Sequence, residues 1–253
     1  MLDHFRVINM DSGYYAAASG LAAQAQVLEV VANNLANLGT TGYRGQQAMF
    51  RSMLAGAGLA HSNPLNGAIN DFGVLGGSRT DLASGSLTAT GNALDLAVAG
   101  KGFFVLRSLR GELYTRNGGF QRTPEGRLVT AEGDAVLGEQ GPITLPNGTL
   151  AVSADGTISV DGAVIARLRI AEFSPDTPLK AAGRALYSAP AGSALPPASS
   201  SLRQGMLEAS NVSSVESVVQ LIALQRSAEM MQRALTLFDS QLNQAAAQDL
   251  PRI

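Results

Sequence analysis

The sequence predicts an α+β protein, with N- and C-terminal helices paired as a coiled-coil-like domain and a central antiparallel β-rich domain between them. Two observations carry that reading. Apolar residues recur every seven positions near both ends, and the middle breaks into short apolar or alternating runs separated by glycines and turn dipeptides.

The first periodic segment runs from about Ser12 to Leu38. Tyr14, Leu21, Leu28 and Leu35 occupy one seam position, and Ala17, Gln24, Val31 and Leu38 the other. Asp11 or Ser12 offers a side-chain oxygen to the first unpaired helix amides, and Gly39 stands where a left-handed residue would close the helix. Met10, followed by Asp11-Ser12-Gly13, offers an alternative start of the chain. The last segment opens on Ser213-Ser214-Val215-Glu216, a capping box in which hydroxyl and carboxylate each satisfy a backbone amide. Leu221, Ala228, Leu235 and Leu242 then recur every seven residues, with Leu224, Met231, Phe238 and Ala245 at the second seam position, and no Gly or Pro intervenes before Pro251. Two apolar stripes that the middle does not visibly cover are expected to bury each other, which brings the chain ends together. The plainer alternative is that each helix packs on its own domain.

Between the helices, Leu94–Val98, Phe103–Leu106, Leu128–Thr130, Ala135–Leu137, Thr157–Val160 and Val164–Ile170 read as strands. Asn117-Gly118, Asp155-Gly156 and Asp161-Gly162 have the chemistry of tight turns, because Asn, Asp and Gly tolerate positive φ. Helical stretches long enough for parallel crossovers are missing, so the pairing is expected to be antiparallel. Residues 51–78 and Ser188–Ser201 are rich in small residues and read as linkers or surface extensions. The expected division is 1–45 for the N-terminal helix, 46–79 for a Gly/Ala/Ser-rich connector, 80–200 for the β-rich domain and 201–253 for the C-terminal helix.

Composition narrows the function. Of 253 residues, 45% are hydrophobic and 15% charged, too apolar a balance for a disordered chain. A formal charge of -2 and the lack of any Lys/Arg-rich run argue against nucleic acid as a partner. Cysteine is absent, which removes disulfides and thiolate chemistry together. The first residues lack an apolar run long enough for a Sec signal, and the uncharged stretch from Asp11 to Glu29 contains Gly13, Gly20, Gln24 and Gln26, so no membrane span is expected.

Catalytic constellations fail on residue counts or spacing. The two histidines, His4 and His61, cannot supply a His-rich metal site, and Gly100-Lys101 departs from a phosphate-binding loop at Asp95 and Gly102. Asp134, Asp155 and Asp161 each adjoin a glycine or turn, which suits a turn role better than a carboxylate pair. No catalytic residue, metal, cofactor or small-molecule substrate is expected. Asn147-Gly148-Thr149 and Asn211-Val212-Ser213 match the glycosylation acceptor pattern, but turn and cap roles explain both. Asn33, Asn34 and Asn37 cluster near a helix end, where asparagine needs hydrogen-bond partners; helix capping and polar recognition between packed subunits both fit.

Ala32-Asn33-Asn34-Leu35-Ala36-Asn37-Leu38-Gly39-Thr40-Thr41-Gly42-Tyr43-Arg44 resembles the N-terminal signature of the flagellar rod and hook family. Gly91–Val98 with Gly100–Phe104, Tyr114–Gly118, Gly126–Thr130 and Gly205–Val212 resemble further elements of that family, in the same order along the chain. The resemblance implies an inner rod domain made of the terminal helices and an outer β-rich domain. It implies a place in the periplasmic rod of the basal body, copies of itself and other rod proteins as partners, transmission of motor torque towards the hook, and export through the flagellar type III apparatus. Length and the Gly141–Pro146 stretch look most like the proximal-rod branch, with the distal-rod branch next. A hook-type member or, in a different class, a secreted β-rich enzyme or glycan-binding module are the competing readings; no Trp and 5% aromatics leave few sugar-stacking platforms. Residues expected to pack between subunits are Leu21, Leu28, Val31, Asn33, Asn34, Leu35, Asn37, Leu221, Leu224, Leu235, Phe238 and Leu242.

Overall fold

The computed structural model describes residues 3–51, 74–175 and 177–249. The fold is α+β: helices α1 (Asp3–Ala36) and α2 (Ser214–Asp249) bracket a series of short strands, and every strand pair whose register is defined runs antiparallel. The described residues fall into two units, one drawn from 1–33, 48–78 and 215–253, the other from 34–47 and 79–214.

The first unit holds most of α1 and nearly all of α2. The α1 helix passes through Asp11 and Ser12 without a boundary, so the expected cap there is not one. At its other end Gly39 does not adopt a positive φ; Asn37 N donates to Asn34 O at 3.1 Å and Leu38 N to Leu35 O at 3.3 Å, and the left-handed residue is Gly42, at φ +68. Tightened i→i+3 bonds absorb the last carbonyls, and a glycine cap is not needed there. The α2 helix starts where the capping box places it, with Glu216 in its first turn. Strand β1 (Gln46–Arg51) pairs with β2 (Val74–Thr80). Residues 52–73, most of the expected 51–78 linker, lie outside the described set.

The second unit is built around β5 (Phe103–Ser108), flanked by β6 (Gly111–Thr115) and β9 (Ala135–Gly138). Its sequence Phe-Phe-Val-Leu is apolar at every position because both faces are covered. Phe104 and Leu106 enter one core with Leu96, Val98, Phe120 and Leu202, while Phe103 and Val105 enter another with Tyr114, Phe173 and Tyr187. The sheet extends on one side through β16 (Leu186–Ser188) to β15 (Lys180–Gly183), and on the other through β8 (Leu128–Val129) to β7 (Gln121–Arg122). A separate three-stranded sheet joins β11 (Leu150–Val152), β12 (Thr157–Val160) and β13 (Ala163–Arg167). Asp161 and Gly162, at φ 50 and 84, make the tight turn between β12 and β13 that their sequence predicts.

Three features differ from expectation. The run Val164–Ile170 is interrupted after Arg167, and its end, β14 (Ile170–Ala171), crosses to pair with β5. The Ser188–Ser201 tract is pinned rather than free: Leu195 exchanges backbone hydrogen bonds with Glu172 at 2.9 Å, and Ser199 N and Ser200 Oγ donate to the Glu172 carboxylate at 3.0 and 2.6 Å. Finally, the segment 201–253 opens with β17 (Ser201–Gln204) and β18 (Met206–Glu208), which pair with β4 (Leu96–Ala99) and β3 (Leu87–Ala89). Neither is long or alternating enough to declare itself by period.

Candidate assembly surface and a buried charged junction

The first unit carries most of the predicted packing residues of the helices. On α1, Val31 is buried, Leu21 is partly buried, and Leu28 is 37% exposed. On α2, Leu221, Leu224 and Leu235 are partly buried along one face; the side chains of Phe238 and Leu242 lie outside the described residues. Gln24 Nε2 of α1 donates to the Leu224 carbonyl of α2 at 3.2 Å. Further apolar residues of α2 are exposed: Val215 (73%), Val218, Val219 and Ile222 near its start, and Met230 and Leu237 further along, where Arg226, Glu229 and Arg233 share the same side. At 100° per residue these six fall within about a third of the helix circumference, roughly opposite Leu221, Leu224 and Leu235. Sequence reasoning followed one seam and passed over these exposed residues, although the positions were readable.

Within the second unit, the asparagines act on the chain's own backbone. Asn34 Nδ2 donates to Gln46 O and its Oδ1 accepts from Gln46 N, both at 2.8 Å, so one side chain pairs with both backbone polar groups of one residue as a neighbouring strand would. Tyr43 Oη donates to the same Oδ1 at 3.1 Å. Asn37 Oδ1 accepts from Thr40 Oγ1, Leu35 is partly buried, and Asn33, in the first unit, is exposed. Asn211 instead bridges two segments: its Oδ1 accepts from Gly45 N at 2.7 Å and its Nδ2 donates to Ala83 O at 2.9 Å.

Beside these clasps lies a junction of charges with almost no exposure. Glu208 places Oε1 2.7 Å from Arg44 Nη2 and Oε2 3.1 Å from Arg116 Nη1. The Arg44 contact is an ion pair without hydrogen-bond alignment, whereas Arg116 Nη1 donates to its oxygen. Gly85 N donates to Oε1 at 2.8 Å. Arg44 Nη1 donates to Ala83 O, and Arg116 donates to Val98 O at 3.1 Å and Gly100 O at 2.6 Å. The Arg116 guanidinium also lies 4.8 Å from the Phe103 ring centroid. Arg44 N donates to Tyr187 Oη at 2.8 Å.

Burial dominates the electrostatics here. It lowers Arg116 to about 10, helped by the neighbouring Arg44 and opposed by Glu208. Burial lowers Arg44 as well, again opposed by Glu208, and raises Tyr187 despite the Arg44 amide. The three charged residues stand in the Thr40–Arg44, Tyr114–Gly118 and Gly205–Val212 motifs, yet nothing in their spacing reveals that they meet. Among the described residues, no three His, Cys, Asp or Glu side chains group as metal ligands, and no helix is long and apolar enough to cross a membrane.

A β-rich unit closed by its own distant segments, with long helices near both ends of the chain and apolar residues left exposed on them, is the architecture of a structural protein of the self-associating kind. Comparison with known proteins makes the class specific. The chain matches the family models for the flagella basal body rod protein over residues 15–44, the flagellar hook protein FlgE/F/G D1 domain over 97–165, and the flagellar basal body rod FlgEFG protein C-terminal region over 203–248. It is 33% identical over 250 residues to the flagellar basal-body rod protein FlgF of Caulobacter vibrioides, covering 96% of this chain and 100% of that one. It is 34% identical to FlgG of Agrobacterium fabrum, covering 88% and 94%, and 32% identical to FlgF of Salmonella typhimurium, covering 91% and 95%. The chain belongs to the flagellar basal-body rod protein family. Its place is the flagellar basal body, and its role is structural and not enzymatic.

Proposed function

We propose that this subunit builds the periplasmic rod by stacking its helical unit against neighbouring copies and other rod proteins, and so carries motor torque towards the hook. The exposed apolar cluster Val215, Val218, Val219 and Ile222 at the start of α2, set apart from the partly buried Leu221, Leu224 and Leu235, carries this reading. One face, with Leu221, Leu224 and Leu235, turns towards α1 as a coiled-coil-like pair, with Leu21 and Val31 opposite and Phe238 and Leu242 continuing the seam. The exposed cluster, centred on Val219 and Ile222, together with Leu28 of α1, meets adjacent subunits. Asn33 borders that contact, while Asn34, Leu35 and Asn37 shape the chain after α1. Identical subunits joined head to tail grow into an open helical array when the rotation does not close. Each buried branched side chain at such a contact adds about 1.5–3 kcal/mol. Delivery through the flagellar type III export apparatus completes the proposal, with the proximal rod as the subunit's position and the distal rod as the second reading.

Ile222→Asp and Leu28→Asp test the assignment. Each is expected to abolish complete rods in purified basal bodies while leaving the thermal unfolding of the free chain unchanged. Complete rods built from either variant would remove these faces from the subunit interface.

A further inference from the structure

We infer that the Arg44–Glu208–Arg116 junction is a latch that ties the segment leaving α1, the segment preceding α2 and the turn after β6 into one cooperative element, and that its charges select a conformation rather than add stability. The composition of the cluster is the first reason. One carboxylate serves two guanidiniums, all three side chains are at most 1% exposed, and among the described residues the Nε atoms of Arg44 and Arg116 have no hydrogen-bond partner. Removing two cations and one anion from water costs more than imperfect pairing returns, and replacing such buried triads by apolar residues is often neutral or stabilising.

What the ions do supply is exclusivity. In the latched arrangement each Glu208 oxygen meets a different guanidinium, while Arg44 Nη1 reaches the Ala83 carbonyl and the two Arg116 Nη atoms reach those of Val98 and Gly100. A neighbouring register would bury unpaired charge. The backbone holds the register that the charges select: Gly42 N donates to Glu208 O at 2.7 Å, and Asn211 N to Tyr43 O at 3.3 Å. Gly42 lies so close to the third segment that a Cβ there would stand 2.3 Å from the Arg116 carbonyl carbon, so the 40–45 segment cannot slide past it.

Hydrogen exchange of the full-length free chain, followed by mass spectrometry, tests the coupling. Glu208→Gln and the milder Arg44→Lys, which keeps charge but loses the fork, are each expected to raise exchange at least about tenfold in residues 40–45, 114–118 and 207–212 together. Exchange raised only in the substituted residue's own segment would overturn the latch. For Glu208→Gln, Tm is expected to fall by roughly 10 °C. The triple variant Arg44→Met, Arg116→Leu, Glu208→Leu separates conformation from stability: its Tm is expected at or above the native value, with exchange still raised in the three segments. Native protection throughout, or a Tm about 10 °C lower, would overturn the assignment of conformation over stability. All measurements read the free chain, so their outcome is independent of rod assembly.

Discussion

A methyl group at position 118 would stand 1.6 Å from the Leu96 carbonyl oxygen, closer than any packed side chain can come. Gly118 therefore serves close backbone approach and not the positive-φ hairpin that Asn-Gly suggests; Asn117 Oδ1 accepts from Gly119 N at 3.0 Å to hold the bend. Gly118→Ala is expected to cost about 3 kcal/mol or more in denaturant unfolding, whereas Gly39→Ala, whose Cβ meets nothing within 4 Å, should be neutral or slightly stabilising. A left-handed cap at Gly39 would give the reverse for that position. Asn34→Asp removes the donor to Gln46 O and sets a carboxylate against that carbonyl, with an expected loss of about 1–3 kcal/mol on the same scale. At this scale little was legible in the sequence. Arg44, Arg116 and Glu208 stand out as members of motifs, but only the fold brings two arginines so far apart onto one carboxylate.

Among the elements, those with a long period were readable and those without were not. Seven-residue recurrence located α2 and the capping box its first turn, and glycine-bounded apolar runs located β5, β9 and β12. Strands β17 and β18 escaped because Ser201–Glu208 mixes polar and apolar residues without alternation, their apolar members being set by partners some hundred residues earlier. Gln204 illustrates what such a segment does. Its Oε1 accepts from Val152 N at 3.0 Å and its Nε2 donates to Leu150 O at 3.1 Å, so a side chain occupies the edge of β11 where a strand would otherwise pair. Gln204→Ala is expected to leave both backbone groups unpaired and to speed exchange at the Val152 amide, with β5 and β6 unaffected. Equal acceleration across all strands would mean that Gln204 supports the whole unit and not one edge.

For the whole molecule, acid stability should reflect Glu172. Burial pushes its carboxyl up, but the bonds from Ser200, the Ser199 and Ala198 amides and the Ser199 hydroxyl together hold it below the ordinary 4.5. Its contribution is therefore present above the unfolded value and is lost as pH falls through the folded one. Glu172→Gln is expected to lower Tm near neutrality and to flatten its decline below about pH 4.5; a parallel decline in both proteins would assign the acid limb to other groups.

The pairing of β17 and β18 with β4 and β3 also sets a clock. Gly45 and Asn211, which bond to each other, are 166 residues apart, and at ~5–20 residues per second a ribosome needs roughly 8–33 s to join them. For nearly all of that interval the nascent β-rich unit lacks β17, β18 and the Glu208 carboxylate for its buried arginines. A factor that must engage the open chain therefore has its opportunity during synthesis, before residue 211 emerges.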